Sequence, residues 1–100
     1  MKSKVRLPVL LKLFERQNGR CCYCERFVVL SADYKIQQRS DAATIEHLRR
    51  RADGGTNQPH NLSLACKRCN QERGSLSWIL YATFRRGEFL EFMEAIKPQR

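Results

Sequence analysis

Five cysteines carry the most specific chemical signal in this 100-residue chain. They fall as Cys21-Cys22-Tyr23-Cys24 and Cys66-Lys67-Arg68-Cys69, which contain the C-x2-C pairs Cys21/Cys24 and Cys66/Cys69. Each pair can wrap a tight turn around one metal with backbone N–H groups aimed at the sulfurs, and two such turns build the S4 set favoured by structural zinc. A disulfide framework fits poorly with an odd cysteine count and no recognisable export signal. A C-x-x-C redox motif would want a βαβ context that the pattern lacks. Cys22 is then the spare, a small packed or semi-exposed thiol; exchanging it for Cys21 would need the less usual C-x-C spacing. Between the pairs and just after them stand Glu46-His47, Asn61 and Asn70. An imidazole can take a proton from water near neutral pH. A carboxylate from Glu46 and a side-chain carbonyl from Asn70 are hard oxygens that could share one divalent cation, leaving positions open for water and an anionic ligand.

Positioning these groups requires a substructure between the cysteine pairs, whose separation exceeds the roughly 15–20 residues of a simple zinc ribbon. Residues 43–48 (Ala-Thr-Ile-Glu-His-Leu) read as a strand, with Ile45 and His47 on one face and Glu46 and Leu48 on the other. On a regular strand the neighbours Glu46 and His47 diverge, so a bulge or the strand's end must bring ligand and base around one target. Arg49-Arg50-Arg51 then run into a Gly54-Gly55 turn, Leu62-Ser63-Leu64-Ala65 return as a second strand, and a helix starts near Cys69-Asn70. Upstream, residues 1–6 read as a frayed basic arm and Pro8 as the first turn of a helix. Val9, Leu10, Leu13 and Phe14 form that helix's stripe and Asn18-Gly19 its stop. Phe27 to Leu30 suggests a short strand and Ser31 to Ser40 a polar connection. Downstream, Ser75 is the expected N-cap of a helix over Leu76–Ala82 that Gly87 ends. Phe89, Leu90, Phe92, Met93 and Ile96 form a last amphipathic helix before Pro98. Trp78, Tyr81, Phe84, Phe89 and Phe92 have helical spacing and are expected in the core. The chain so divides into an arm and N-terminal helix at 1–19, a zinc core at 20–74, and C-terminal helices at 75–100, all within one domain.

The ordered set Thr44-Ile45-Glu46-His47-Leu48, Gly54-Gly55, and Asn61-Leu62-Ser63-Leu64-Ala65-Cys66-Lys67-Arg68-Cys69-Asn70 resembles the HNH endonuclease family in its HNN variant. With the first knuckle included, the resemblance covers roughly residues 20–74. It implies an α+β fold: a small zinc-stapled ββα-metal domain with flanking helices. It also implies a metal-dependent DNA endonuclease that leaves 5′-phosphate and 3′-hydroxyl ends. The implied roles are His47 as general base, Glu46 and Asn70 as ligands of the catalytic cation, and Asn61 as a bridge that holds the His47 loop in place. Phosphodiester hydrolysis suits that set, needing a base for water and a cation for the charged transition state. Asn70 stands where the family often has His, which tilts the preference to Mg²⁺ or Mn²⁺ over transition metals, and Glu46 stands where Asp is more usual.

Nineteen Lys and Arg against ten Asp and Glu give a net charge of +9. Arg49, Arg50, Arg51, Lys67, Arg68 and Arg73 flank the site in sequence and are expected to contact backbone phosphates, with Arg16, Arg20, Arg85 and Arg86 extending the track. Such contacts set register and salt dependence without reading bases, so weakly specific cleavage is expected unless a homodimer or a larger phage or bacterial assembly adds recognition. The apolar runs fall well short of the ~20 residues of a membrane span, and Lys12, Glu15 and Arg16 break any signal-peptide core. Membrane proteins, exported proteins and large multidomain enzymes are thereby excluded, and a cytoplasmic bacterial or phage setting follows from the resemblance. Two rival functions remain: a non-catalytic zinc module that binds DNA or RNA, and a zinc domain for protein interaction whose charge only keeps it soluble.

Overall fold

The computed structural model describes residues 3–87 and 94–95, with side chains from residue 7 onward. Helix α1 spans Ser3–Arg16, α2 Tyr34–Gln37, strand β1 Ala43–His47, β2 Leu62–Cys66, α3 Lys67–Arg73 and α4 Trp78–Arg85. Short 3₁₀ turns at Arg51–Asp53 and Pro59–Asn61 lie in the loop between the strands. The amphipathic helix expected over 89–96 falls mostly outside the described residues.

Helix α1 begins ahead of Pro8, so residues 3–6 are helical and not a frayed arm. Proline's fixed φ is a helical value, and so near the N-terminus it costs the helix only one hydrogen bond. Leu10 and Leu13 face the core. The helix stops where Asn18 and Gly19 turn left-handed (φ +55° and +72°), and the Gly19 N–H caps the Phe14 carbonyl at 2.8 Å.

The sheet has two antiparallel strands paired from Ala43↔Cys66 to His47↔Leu62. Every residue of β2 is buried. One edge of β2 pairs with β1, and side chains cover the other. Gln17 Oε1 accepts from Leu64 N and Ser63 Oγ, both at 2.8 Å, while its Nε2 donates to Leu64 O at 3.0 Å. Arg16 donates to Leu62 O, and Cys22 N–H to Leu64 O. The end of α1 and the first cysteine turn thus satisfy an edge that would otherwise invite pairing with another chain. Helix α3 packs on both strands and α1 on both as well.

Three local expectations change. Residues 27–30 form no strand, only single bridges, Arg20↔Phe27 and Val29↔Ala42, because the chain meets its neighbours at one residue each before turning away. The polar connection holds the short helix α2, which Asp33 caps by accepting from Lys35 N at 2.9 Å. Helix α4 is capped by Ser77 instead of Ser75 and starts at Trp78. It buries Tyr81 and Ala82, but Trp78 (38% exposed) and Phe84 (55%) are not core residues. Tyr81 meets Tyr23 edge-to-face at 4.9 Å, which docks α4 on the first cysteine turn. Among the described residues, no helix is long and apolar enough to cross a membrane.

Candidate active site and metal centre

Cys21, Cys24, Cys66 and Cys69 converge, with all four Sγ atoms within 4.8 Å of one another. The N–H of Tyr23 points at Cys21 Sγ (3.3 Å) and that of Cys69 at Cys66 Sγ (3.4 Å), the donor pattern that stabilises thiolates in a C-x2-C turn. Four thiols cannot ionise side by side without a cation. Hydrogen bonds from the Cys22, Cys66 and Cys69 thiols hold the Cys21 thiol far below its usual range, and those same bonds to Cys21 push Cys66 and Cys69 up. A tetrahedral zinc ion with Zn–S bonds of about 2.3 Å would space the sulfurs about 3.8 Å apart, close to the 4.0 Å seen between Cys24 and Cys66. The donor set therefore fits one structural zinc ion. Cys22 lies outside this quartet and is partly exposed.

The cysteine quartet pins the hairpin at its Cys66 end, and His47 stands at the opposite end, where β1 enters the loop. Strand β1 ends at His47, whose ring is partly exposed, and Nε2 lies 2.8 Å from Asn57 Oδ1. Nδ1 has no hydrogen-bond partner among the described residues. Asn61, buried at the start of β2, ties the loop across its neck. Its Oδ1 accepts from Arg49 N (2.8 Å), and its Nδ2 donates to Arg49 O (3.0 Å) and Thr56 O (2.8 Å). Gly55 completes this closure, because a Cβ there would lie 1.8 Å from the Arg49 carbonyl oxygen. Gly55→Ala is therefore expected to force the loop open and cost about 1–3 kcal/mol of stability; a urea midpoint equal to wild type would refute this.

Glu46 points the other way, into the protein. The carboxylate is 3% exposed, and its Oε2 accepts from Arg73 Nη1 at 2.6 Å and from the Tyr23 hydroxyl at 2.5 Å. Burial, and then the bond to Glu46, raises the Tyr23 hydroxyl above its usual range. Arg73 is as buried as its partner, with 4% of its side chain exposed. Its remaining donors reach His47 O and Leu48 O at 2.8 Å and Leu76 O at 2.7 Å. Arg73 therefore does not join the phosphate track expected from its place among the basic residues, because every guanidinium nitrogen is spent inside. The same ion pair changes the expectation for Glu46, since one carboxylate oxygen is already neutralised and only Oε1 remains without a partner among the described residues. Asn70 lies one turn before Arg73 on α3 and leans on β1, with Nδ2 3.1 Å from Thr44 Oγ1 and 3.4 Å from Ile45 O. Its Oδ1 has no partner among the described residues.

The pairing of β1 runs without interruption to His47, so no bulge swings Glu46 and His47 to one side. Glu46 and Asn70 meet the α3 side of the hairpin, whereas His47 turns to the loop. The sequence reading missed Tyr23, Asn57 and Gln17, as well as the inward role of Arg73. Its one available signal was the i, i+3 spacing of Asn70 and Arg73, which puts both on one helix face. Arg49 and Arg51 are exposed in the loop that follows His47, and Arg50 pairs with Asp53 at 2.9 Å. Arg68 is exposed and paired with Glu72 at 3.1 Å, and Lys67 is half-buried with Nζ 3.4 Å from Gln37 O.

Sequence comparisons agree with this geometry. A family profile described as HNH endonuclease matches residues 21–76. The CRISPR-associated endonuclease Cas9 of Corynebacterium diphtheriae is 30% identical over 87 residues, which cover 86% of this chain and 7% of that protein. The match thus takes in nearly all of this chain but only a small part of its relative. The β1–β2–α3 unit pinned by four cysteines is the ββα-metal arrangement that the motifs implied, and the profile spans more than half of the sequence. The chain belongs to the HNH endonuclease family.

Proposed function

We propose that the protein is a metal-dependent endonuclease that hydrolyses DNA phosphodiester bonds with His47 as general base. The observation that carries this reading is the state of His47: its ring is partly exposed at a strand end, one nitrogen is engaged by Asn57, and the other has no partner among the described residues. Nδ1 accepts a proton from water as the water oxygen attacks phosphorus. The P–O3′ bond breaks, the 3′ oxygen takes a proton from solvent, and His47 returns its own proton to solvent. The products are a 5′-phosphate and a 3′-hydroxyl. Asn61 keeps the loop closed so that the ring stays in place. Arg49 and Arg51 hold the backbone on either side of the target through their guanidinium N–H groups, and Lys67 and Arg68 extend that contact. Asn70 Oδ1 and Glu46 Oε1 are hard oxygen donors that suit Mg²⁺ or Mn²⁺, with Arg73 and Tyr23 fixing the Glu46 carboxylate through its other oxygen. When bound, such an ion would supply a positive charge to the phosphorane-like transition state and the departing oxygen; with no bulge in β1, the strand's end at His47 is where base and ligands have to meet around one phosphate.

The ion pair that buries Glu46 favours a second reading, in which the domain binds nucleic acid without cutting it. Incubation with supercoiled plasmid and Mg²⁺, Mn²⁺ or Ni²⁺ separates the two. The nuclease predicts metal-dependent nicking that falls by about 10²–10⁴-fold in His47→Ala. Plasmid that is retarded on a gel yet stays intact with all three metals supports the second reading and defeats the first. No interaction with DNA leaves the zinc domain as a protein-interaction module.

A further inference from the structure

The contact between Asn57 and His47 does more than tether a loop. We infer that Asn57 is a positioning residue that sets which ring nitrogen of His47 takes the proton and holds the resulting imidazolium. This rests on the nuclease reading, in which His47 is the base.

An amide oxygen can only accept, so Oδ1 at 2.8 Å from Nε2 requires the ring hydrogen to sit on Nε2. The lone pair is then on Nδ1, the nitrogen left without a partner among the described residues. The opposite amide orientation would point Nδ2–H at Nε2, force the hydrogen to Nδ1, and leave no basic nitrogen free. Once Nδ1 has taken a proton from water, the ring is a cation and the Nε2–H···Oδ1 bond becomes charge-assisted, hence stronger. The contact therefore grows as the proton moves and lowers the barrier more than it tightens substrate binding.

Asn57 is itself exposed and would not hold a rotamer unaided. Its backbone is fixed from the other side. The Thr56 carbonyl, one residue earlier, accepts from buried Asn61 Nδ2 at 2.8 Å, and Gly55 N–H donates to Arg50 O at 2.9 Å. The buried Asn61 thus reaches the imidazole through Thr56 and Asn57, with no direct hydrogen bond to the ring.

Asn57→Leu keeps the side-chain size and removes the acceptor; Asn57→Asp keeps an oxygen at the same reach. Both lie on the exposed loop, and equal circular dichroism melts will verify the fold. In plasmid nicking with Mn²⁺, N57L is expected to lose about 10- to 100-fold in kcat with KM little changed, and N57D to retain most of the rate. In zinc-loaded protein without DNA, the NMR signal of the His47 Nε2 proton is expected in wild type and N57D, protected from exchange, and to vanish in N57L. Equal kcat in wild type and N57L overturns the inference, and so does a wild-type ring whose hydrogen is on Nδ1. A wild type that shows the bonded Nε2 proton and cuts no DNA with any divalent metal overturns the nuclease reading instead.

Discussion

Removing zinc from the folded protein will unfold it. The sulfurs of Cys21, Cys66 and Cys69 lie inside the same cluster as Leu10, Leu13, Tyr23, Leu62, Leu64 and Tyr81. That core is small, and its two strands are five residues each. A domain of this size retains only about 5–15 kcal/mol of stability, whereas a structural zinc site contributes about 10–16 kcal/mol of apparent binding free energy. Loss of the ion therefore removes more than the fold has in reserve, and it leaves the sulfurs crowded around one charge, with Cys66 and Cys69 pushed towards the thiol form. Chelation at neutral pH is expected to abolish the cooperative thermal transition, and Cys66→Ser to do the same without chelator. The pH dependence has a fixed sign: zinc needs thiolates, protons compete for them, and so zinc release and unfolding advance as pH falls. A melt that is unchanged after metal analysis has verified removal would overturn this account.

Breaking the buried pair from the arginine side will cost less than zinc removal but still a large share of the stability. Arg73→Met removes the ion pair to Glu46 and leaves a carboxylate on a residue 3% exposed with, among the described residues, only Tyr23 to answer it. Removing one partner of a buried pair typically costs about 3–5 kcal/mol. Arg73 also satisfies the carbonyls of His47, Leu48 and Leu76, so the arginine variant is expected to be worse than Glu46→Gln. Arg73→Lys should rescue little, since an ammonium cannot reproduce a fork that serves three carbonyls and a carboxylate. Urea denaturation of the zinc-loaded variants measures the difference. A double variant, Glu46→Leu with Arg73→Met, should recover part of the loss, because the pair's strongest effect is the charge left behind. A loss under 1 kcal/mol in Arg73→Met would show that the pair is not a support of the fold.

These two results bear on the candidate chemistry differently. Zinc loss takes away the scaffold and every function with it. Loss of Arg73 lets go of the backbone that ends β1 and so should displace His47 even in molecules that stay folded, since its carbonyl is one of the groups that Arg73 holds.

The sequence by itself determined the parts whose chemistry is local. Two C-x2-C pairs state their own geometry, since a short turn can direct two sulfurs and its own N–H groups to one point. The strands around His47 and Leu62–Leu64 follow from side-chain alternation and the Gly-Gly turn, and Asn18-Gly19 ends α1 through backbone freedom alone. The ordering of Glu46, His47, Asn61 and Asn70 between and after the cysteines was sufficient to name the family. Only the tertiary structure decided the directions of charge. Arg73 is one more basic residue in a basic chain until α3 folds against β1 and turns it inward to Glu46. Asn57 looks like any turn residue until Asn61 pulls the loop closed and brings its amide to the imidazole. Trp78 and Phe84 carry a core-like period but lie on a helix that has room to bury only Tyr81 and Ala82. A burial pattern and a charge partner depend on what arrives from distant parts of the chain, and neither composition nor spacing encodes that arrival.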